Sequence, residues 1–159
     1  MPPAVDTIAP TGFELDEAAH TIRLRRDFAA APAAVHAAWT HPEQVACWWD
    51  AAGEPLARCE IDARVGGRFT FVSRGHPDRP FSGTYSEITP ERIVFETMGA
   101  TGRVLLAPAG SGTRMIVEIE CADAEQLAAF VQMGVHAGTS QTLDNLVDHL
   151  DGRTAPTAA

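Results

Sequence analysis

FAAAPAAVHAAWTHPEQVACWWD, residues 28–50, followed after a short gap by CEIDARVGGRFTF, residues 59–71, is the stretch whose reading decides the fold. Pro32 suits the first turn of a helix, and Val35, Ala38 and Trp39 give that helix one apolar stripe. His41-Pro42 ends it, because proline removes a backbone donor and pushes the residue before it out of the helical region. Pro42 and Glu43 then open a second short helix, with Thr40 as its expected cap, and Val45, Cys47, Trp48 and Trp49 load it with apolar area. Gly66-Gly67 punctuates the return to strand at Arg68. The order is strand, two short helices, then strand.

Upstream, Ile22, Leu24, Arg26 and Phe28 alternate with Arg23, Arg25 and Asp27, the period of a half-buried strand, and Phe13 to Leu15 reads as a shorter one. Arg26 falls on the inward parity, so a carboxylate is expected to meet it, with Asp62, Glu87 and Glu96 as the candidates. Downstream, strands are expected at Arg58–Asp62, Arg68–Arg74, Phe81–Ile88, Ile93–Met98, Val104–Ala107 and Thr113–Cys121, divided by turn sequences such as GHPDRP and PAGSG. Connections this short allow antiparallel pairing only.

The closing element reads as one helix from Asp123 to Leu150, about seven turns long. Asp123 and Gln126 make a capping-box-like pair, and Leu127, Phe130, Val131, Leu143, Leu146 and Val147 carry the helical period. Gly134 and Gly138 inside it cost about 1 kcal/mol each relative to alanine, so close packing or a bend is expected there.

Composition narrows the function classes. At 159 residues the chain makes one domain, read as 12–151, with extensions 1–11 and 152–159 expected to be disordered. A formal net charge of −9 with scattered basic residues argues against nucleic acid. No apolar run approaches the ~20 residues of a membrane span, and no secretory signal is legible at the N-terminus, so the expected location is the cytoplasm. Cys47, Cys59 and Cys121 are dispersed, as are the six histidines, so neither a disulfide nor a metal site is expected. No cofactor is implied.

F-x-A-x-P-x-x-V-x-x-A-W-T-x-P-E-x-V-x-x-W-W over Phe28–Trp49, D-x-R-x-G-G-x-F over Asp62–Phe69, G-T-Y-x-E-I-x-P over Gly83–Pro90, the Gly112-Thr113-Arg114 turn and the ending LDNLVDHL together resemble the heat-shock-protein-90 ATPase activator homologue family. That family belongs to the START and polyketide-cyclase-like helix-grip superfamily (SRPBCC). The resemblance covers roughly residues 22–150. It implies an α+β helix-grip fold: a curved antiparallel sheet of about six or seven strands around a long C-terminal helix, two short helices closing one end, and a cavity between sheet and helix. It also implies a choice between ligand carriers, cyclases and a stress-related or chaperone-regulating interaction module. Relatives commonly carry a tryptophan where this chain has Val135.

Strand parity places Phe69, Phe71, Tyr85, Phe95 and Val117 on inward rows, with Glu87 sharing the row of Tyr85. The opposing helix face presents Leu127, Val131, Gly134, Gly138 and Thr142, and Phe130 is a further candidate on the same helix. Small residues facing large ones point to a pocket for a small hydrophobic or aromatic molecule, with Trp48 or Trp49 as a lid and the Tyr85 hydroxyl available to orient the ligand. His136 and Ser140 stand one helical turn apart and are expected to hydrogen-bond. No nucleophile accompanies these groups, so binding ranks above catalysis. The oligomeric state is left open, with a homodimer through an edge strand as one arrangement.

Overall fold

A computed structural model describes residues 12–151. The expectations for 1–11 and 152–159 lie outside the described residues. The elements are β1 (Phe13–Asp16), β2 (Thr21–Phe28), α1 (Pro32–Thr40), α2 (Pro42–Trp48), β3 (Arg58–Ile61), β4 (Arg68–Val72), β5 (Phe81–Thr89), β6 (Arg92–Thr97), β7 (Ala100–Ala109), β8 (Gly112–Glu120), α3 (Ala124–Gln132) and α4 (Val135–Asp151). The strands form one antiparallel sheet of eight, the number of segments the pattern marks and one or two more than the resemblance implies, in the order β1-β2-β8-β7-β6-β5-β4-β3. From β3 to β8 the chain meanders, each strand beside the last. The pair α1–α2 carries it from β2 to β3, an edge of the sheet six positions away, and this crossover gives the strand-helix-helix-strand order its shape. The C-terminal helix lies against β2, in the helix-grip arrangement.

The expected single long helix is two. Gly134 has φ +78, a conformation that glycine enters at no steric cost, and α3 ends there before α4 begins. The two glycines noted in the sequence therefore differ: Gly134 makes a break, whereas Gly138 sits regularly in α4 on an exposed side. At the start of α3, Asp123 Oδ1 accepts from the Gln126 amide at 2.8 Å, as the capping pair predicts. Gln126 Oε1 accepts from the Ala122 amide instead of completing a box on Asp123. Thr40 does not cap α2. Its hydroxyl donates back to the His36 carbonyl at 3.0 Å, and His41 takes the cap position.

The two faces of the sheet are held differently. On the inner face Ile22, Leu24, Trp48, Val104, Met115 and Leu146 pack into one continuous buried core. On the outer face one register row runs Glu14, Arg23, Glu118, Arg103, Val94, Glu87 across six strands. Arg23 donates to Asp16 and Glu118, each at 2.8 Å, and Arg103 bridges Glu118 and Glu120. Opposite charges directly across strands stabilise the pairing.

Arg26 is 1% exposed, as inward parity requires, but its partner is none of the three strand carboxylates. Its Nε donates to Asp144 Oδ1 at 2.9 Å, and Nη2 donates to the carbonyl and hydroxyl of Ser140 at 3.0 and 2.6 Å. The counter-charge comes from α4 because that helix lies against β2. Asp62 pairs with Arg64, Glu87 with Arg92, and Glu96 accepts from Thr101.

His149, near the end of α4, has its Nε2 3.1 Å from Gln44 Oε1 on α2, and burial pushes its pKa below 6.5. The unfolded chain therefore binds the proton more readily. The stability from the neutral ring is complete above pH 6.5 and is lost as pH falls below it. The His149→Gln variant is expected to flatten the fall of Tm over that acidic window. Thermal denaturation at a series of pH values reads the difference.

Candidate functional site

A cavity of about 140 Å³ lies between the inner face of the sheet and the junction of α3 with α4. Five aromatic rings line it: Trp39 and Trp49 from the helical crossover, Phe81 and Phe95 from the sheet, and Phe130 from α3. Val117, Ile119, Val135 and Leu143 add aliphatic wall.

Two backbone features make the space. Gly102 on β7 lies opposite Phe95 on β6, and a Cβ built at Gly102 would stand 2.5 Å from two atoms of the Phe95 ring. Only glycine lets that ring lie flat over the neighbouring strand. Phe69 lies over Gly83 in the same manner, 2.6 Å from the equivalent position. The break at Gly134 is the second feature: it directs Phe130 of α3 and Val135 of α4 to the same cavity.

Trp48 and Trp49 are adjacent but serve differently. Trp48 is 0% exposed, donates its indole N–H to the Ala38 carbonyl at 3.1 Å, and does not line the cavity. Trp49 is half-buried and forms the wall, its ring 4.9 Å from Phe71 and 5.2 Å from Phe81. α4 holds it in place: Thr142 Oγ1 donates to the Trp49 carbonyl at 3.0 Å, and Asn145 Nδ2 to the Asp50 carbonyl at 3.0 Å. These side chains satisfy carbonyls that the end of α2 leaves open.

The sequence-expected ligand residues thus divide into groups. Trp49, Phe95, Val117 and Phe130 meet at the cavity. Phe69, Phe71 and Tyr85 cluster beside it around a residual gap of only about 10 Å³, too small for anything beyond a single water. Gly134 shapes the break without lining the space, and Gly138 faces away from it. Trp39, Phe81, Val135 and Leu143 are further wall residues. Trp39 and Leu143 lie on the apolar stripes of their helices and Phe81 has the parity of Tyr85 on β5, but choosing the cavity-facing part of each stripe needs the crossing geometry.

The polar candidates do not converge. A register shift between Tyr85 and Glu87 inserts one residue, so Tyr85 opposes Phe95 while Glu87 opposes Val94. That bulge turns Glu87 to the outer face, against the parity expectation. The Tyr85 hydroxyl makes no hydrogen bond with the described residues, and burial pushes its pKa up, so it stays a neutral phenol. The His136–Ser140 bond that the helical spacing allows is not made; the Ser140 hydroxyl accepts from Arg26. His136 instead packs on Phe13 with ring centroids 5.3 Å apart. Burial together with Glu43 and Glu60 pushes the Cys59 thiol up to about 11, which leaves it unreactive. Among the described residues no group of three His, Cys, Asp or Glu could hold a metal ion, and no helix is long and apolar enough to cross a membrane.

Met98 stands at the mouth. It is 57% exposed, lines the cavity and forms the two-residue β6–β7 turn with Gly99. Both residues have positive φ, +56 and +75, as such tight hairpins require. Methionine pays about 1–2 kcal/mol for that conformation. Gln126 Nε2 donates to the Met98 carbonyl at 3.0 Å and holds the turn against α3. The Met98→Gly variant is expected to raise Tm by roughly 2–4 °C, about 1 kcal/mol in a chain of this size, while opening the mouth. Differential scanning calorimetry checks the gain.

Comparison with known proteins agrees with this fold. The family profile described as Activator of Hsp90 ATPase homolog 1-like protein matches residues 29–151. A crystal structure of a Nitrosomonas europaea protein is 25% identical with a TM-score of 0.76, over 86% of this chain and 97% of that one. One from Chromobacterium violaceum is 29% identical with a TM-score of 0.69, over 82% and 97%. The solution structure of an AHSA1-like protein from Aeromonas hydrophila, 23% identical over 87% and 97% of the two chains with a TM-score of 0.70, shares the fold. Among curated proteins nothing matches. With most of its length matched, its strand order and helix placement those of the helix-grip fold, the chain belongs to the Activator of Hsp90 ATPase homolog 1-like family.

Proposed function

We propose that this protein binds a small apolar molecule in the cavity between its sheet and its C-terminal helices. The observation that carries the reading is the wall itself: five aromatic rings around about 140 Å³ that the chain leaves unfilled while packing Phe69, Phe71 and Tyr85 tightly alongside. Interiors are otherwise close-packed, and a void of this size removes stability, so its persistence favours use. The polar groups of the neighbourhood form no acid–base pair and no activated nucleophile, which supports binding without turnover.

The test is a ¹⁵N-resolved titration of the full chain with an apolar probe such as toluene, following the Trp49 indole and the amides of Val117 and Val135. Saturable shifts at these positions are expected. Shifts scattered over the surface, or none, overturn the reading.

A second reading rests on a different surface. β1 is an edge strand whose Phe13 and Leu15 are 49% and 38% exposed, and Leu15, Leu127 and Val131 line an open groove of about 380 Å³ beside it. An edge of this kind suits strand addition by a protein partner. The family's description points to an Hsp90-type chaperone as the partner. If this reading holds, the double variant Phe13→Ser, Leu15→Ser loses stimulation of the chaperone's ATPase while Gly102→Ala retains it.

A further inference from the structure

We infer that the cavity selects a neutral molecule with a single aromatic ring, one polar substituent being received by Thr139. The inference rests on the proposed binding function and narrows it. Size sets the first limit: about 140 Å³ is close to the roughly 150 Å³ of an engineered apolar cavity that stays dry and takes up benzene or xenon. A second fused ring or a long acyl chain would need the wall to move.

Charge sets the second limit. Among the described residues Glu118 is the one ionisable group at the wall, and its carboxylate accepts from Arg23 and Arg103 on the outer face. No lining side chain can therefore neutralise a buried anion or cation, and an unpaired buried charge is strongly disfavoured. The polar groups of the wall are largely engaged: Thr142 donates to the Trp49 carbonyl, Thr97 to the Ser82 carbonyl, and the Trp39 indole N–H to the Met115 sulfur. Thr139 is a lining residue, and its hydroxyl makes no hydrogen bond with the described residues. It can both donate and accept, so a phenol-type hydroxyl or a carbonyl on the ring gives it a partner. The surrounding rings offer edge and face contacts that suit another ring better than an alkyl chain.

The experiment is a titration of the full chain, read by protein-observed NMR at pH 7.5, with xenon, toluene, p-cresol, benzoate, naphthalene and decanoate. Toluene and p-cresol are expected to bind tightest, with p-cresol favoured, and benzoate at least ~30-fold more weakly because its carboxylate is left unpaired. In Thr139→Val, the p-cresol affinity is expected to fall about 3–10-fold relative to that of toluene on the same variant, the effect of one lost hydrogen bond. Naphthalene or decanoate binding tighter than toluene, or benzoate equal to it, overturns the inference and leaves the general binding function standing. An unchanged p-cresol affinity relative to toluene in Thr139→Val overturns the role of Thr139. Failure of every probe, xenon included, overturns both the inference and the binding function.

Discussion

Arg26→Ala is expected to lower Tm by roughly 6–12 °C, about 3 kcal/mol in a chain of this length. The guanidinium is almost wholly buried and ties β2 to α4 through Asp144 and Ser140, with a further bond from Nη1 to the Arg25 carbonyl at 2.7 Å. Truncation removes those bonds and leaves a void under the helix. Arg26→Met separates the two contributions: it restores most of the volume and none of the bonds. A cost of less than about half that of alanine is expected, because well-packed apolar groups replace buried ion pairs at little loss. Asp144→Ala is the opposite test. It leaves a buried guanidinium without its counter-ion, and it is expected to be at least as damaging as Arg26→Met. Chemical denaturation of the three variants reads the order, and an Arg26→Ala protein as stable as the parent would show that α4 is held by its apolar face alone.

Gly102→Ala is expected to reduce apolar-probe binding at least ~10-fold while costing about 1–3 kcal/mol of stability, the usual range for overpacking. The added methyl would sit 2.5 Å from the Phe95 ring, and that ring already stands edge-on to Phe69 at 5.5 Å. The room for displacement is the cavity. Adding Phe95→Leu to Gly102→Ala returns the space, so the double variant should regain binding that the single variant loses. The cycle measures a coupling that independent sites would not show. Binding by Gly102→Ala equal to the parent would place the ligand elsewhere.

The strand and helix order was readable because binary periods are local: alternation from Ile22 to Phe28, proline at the starts of α1 and α2 and the Gly66-Gly67 pair report the backbone without reference to the rest of the chain. The features missed are non-local or hinge on a single residue. The glycines marked a bend or close packing at Gly134 and Gly138, but the helical period did not show that the chain divides into two helices at Gly134. The bulge after Tyr85 shifts parity by one, and strict alternation cannot detect a residue inserted into the ladder. Arg26 was correctly placed inside, yet its partner lay 118 positions away on an element whose rotation no local pattern fixes. The cavity was legible as aromatic rows facing a helix. Which rings face space and which face each other depends on the two glycines under Phe69 and Phe95, and their effect appears only when neighbouring strands are in register.

The tryptophans carry a consequence of another kind. All three in the chain, Trp39, Trp48 and Trp49, sit with ring centroids 4.8 to 6.4 Å apart, and two of them line the cavity. Indoles this close exchange excitation, so the tryptophan emission arises from one coupled cluster beside the cavity. An occupant of the proposed binding site that shifts Trp49 should therefore change the emission of all three without any attached dye.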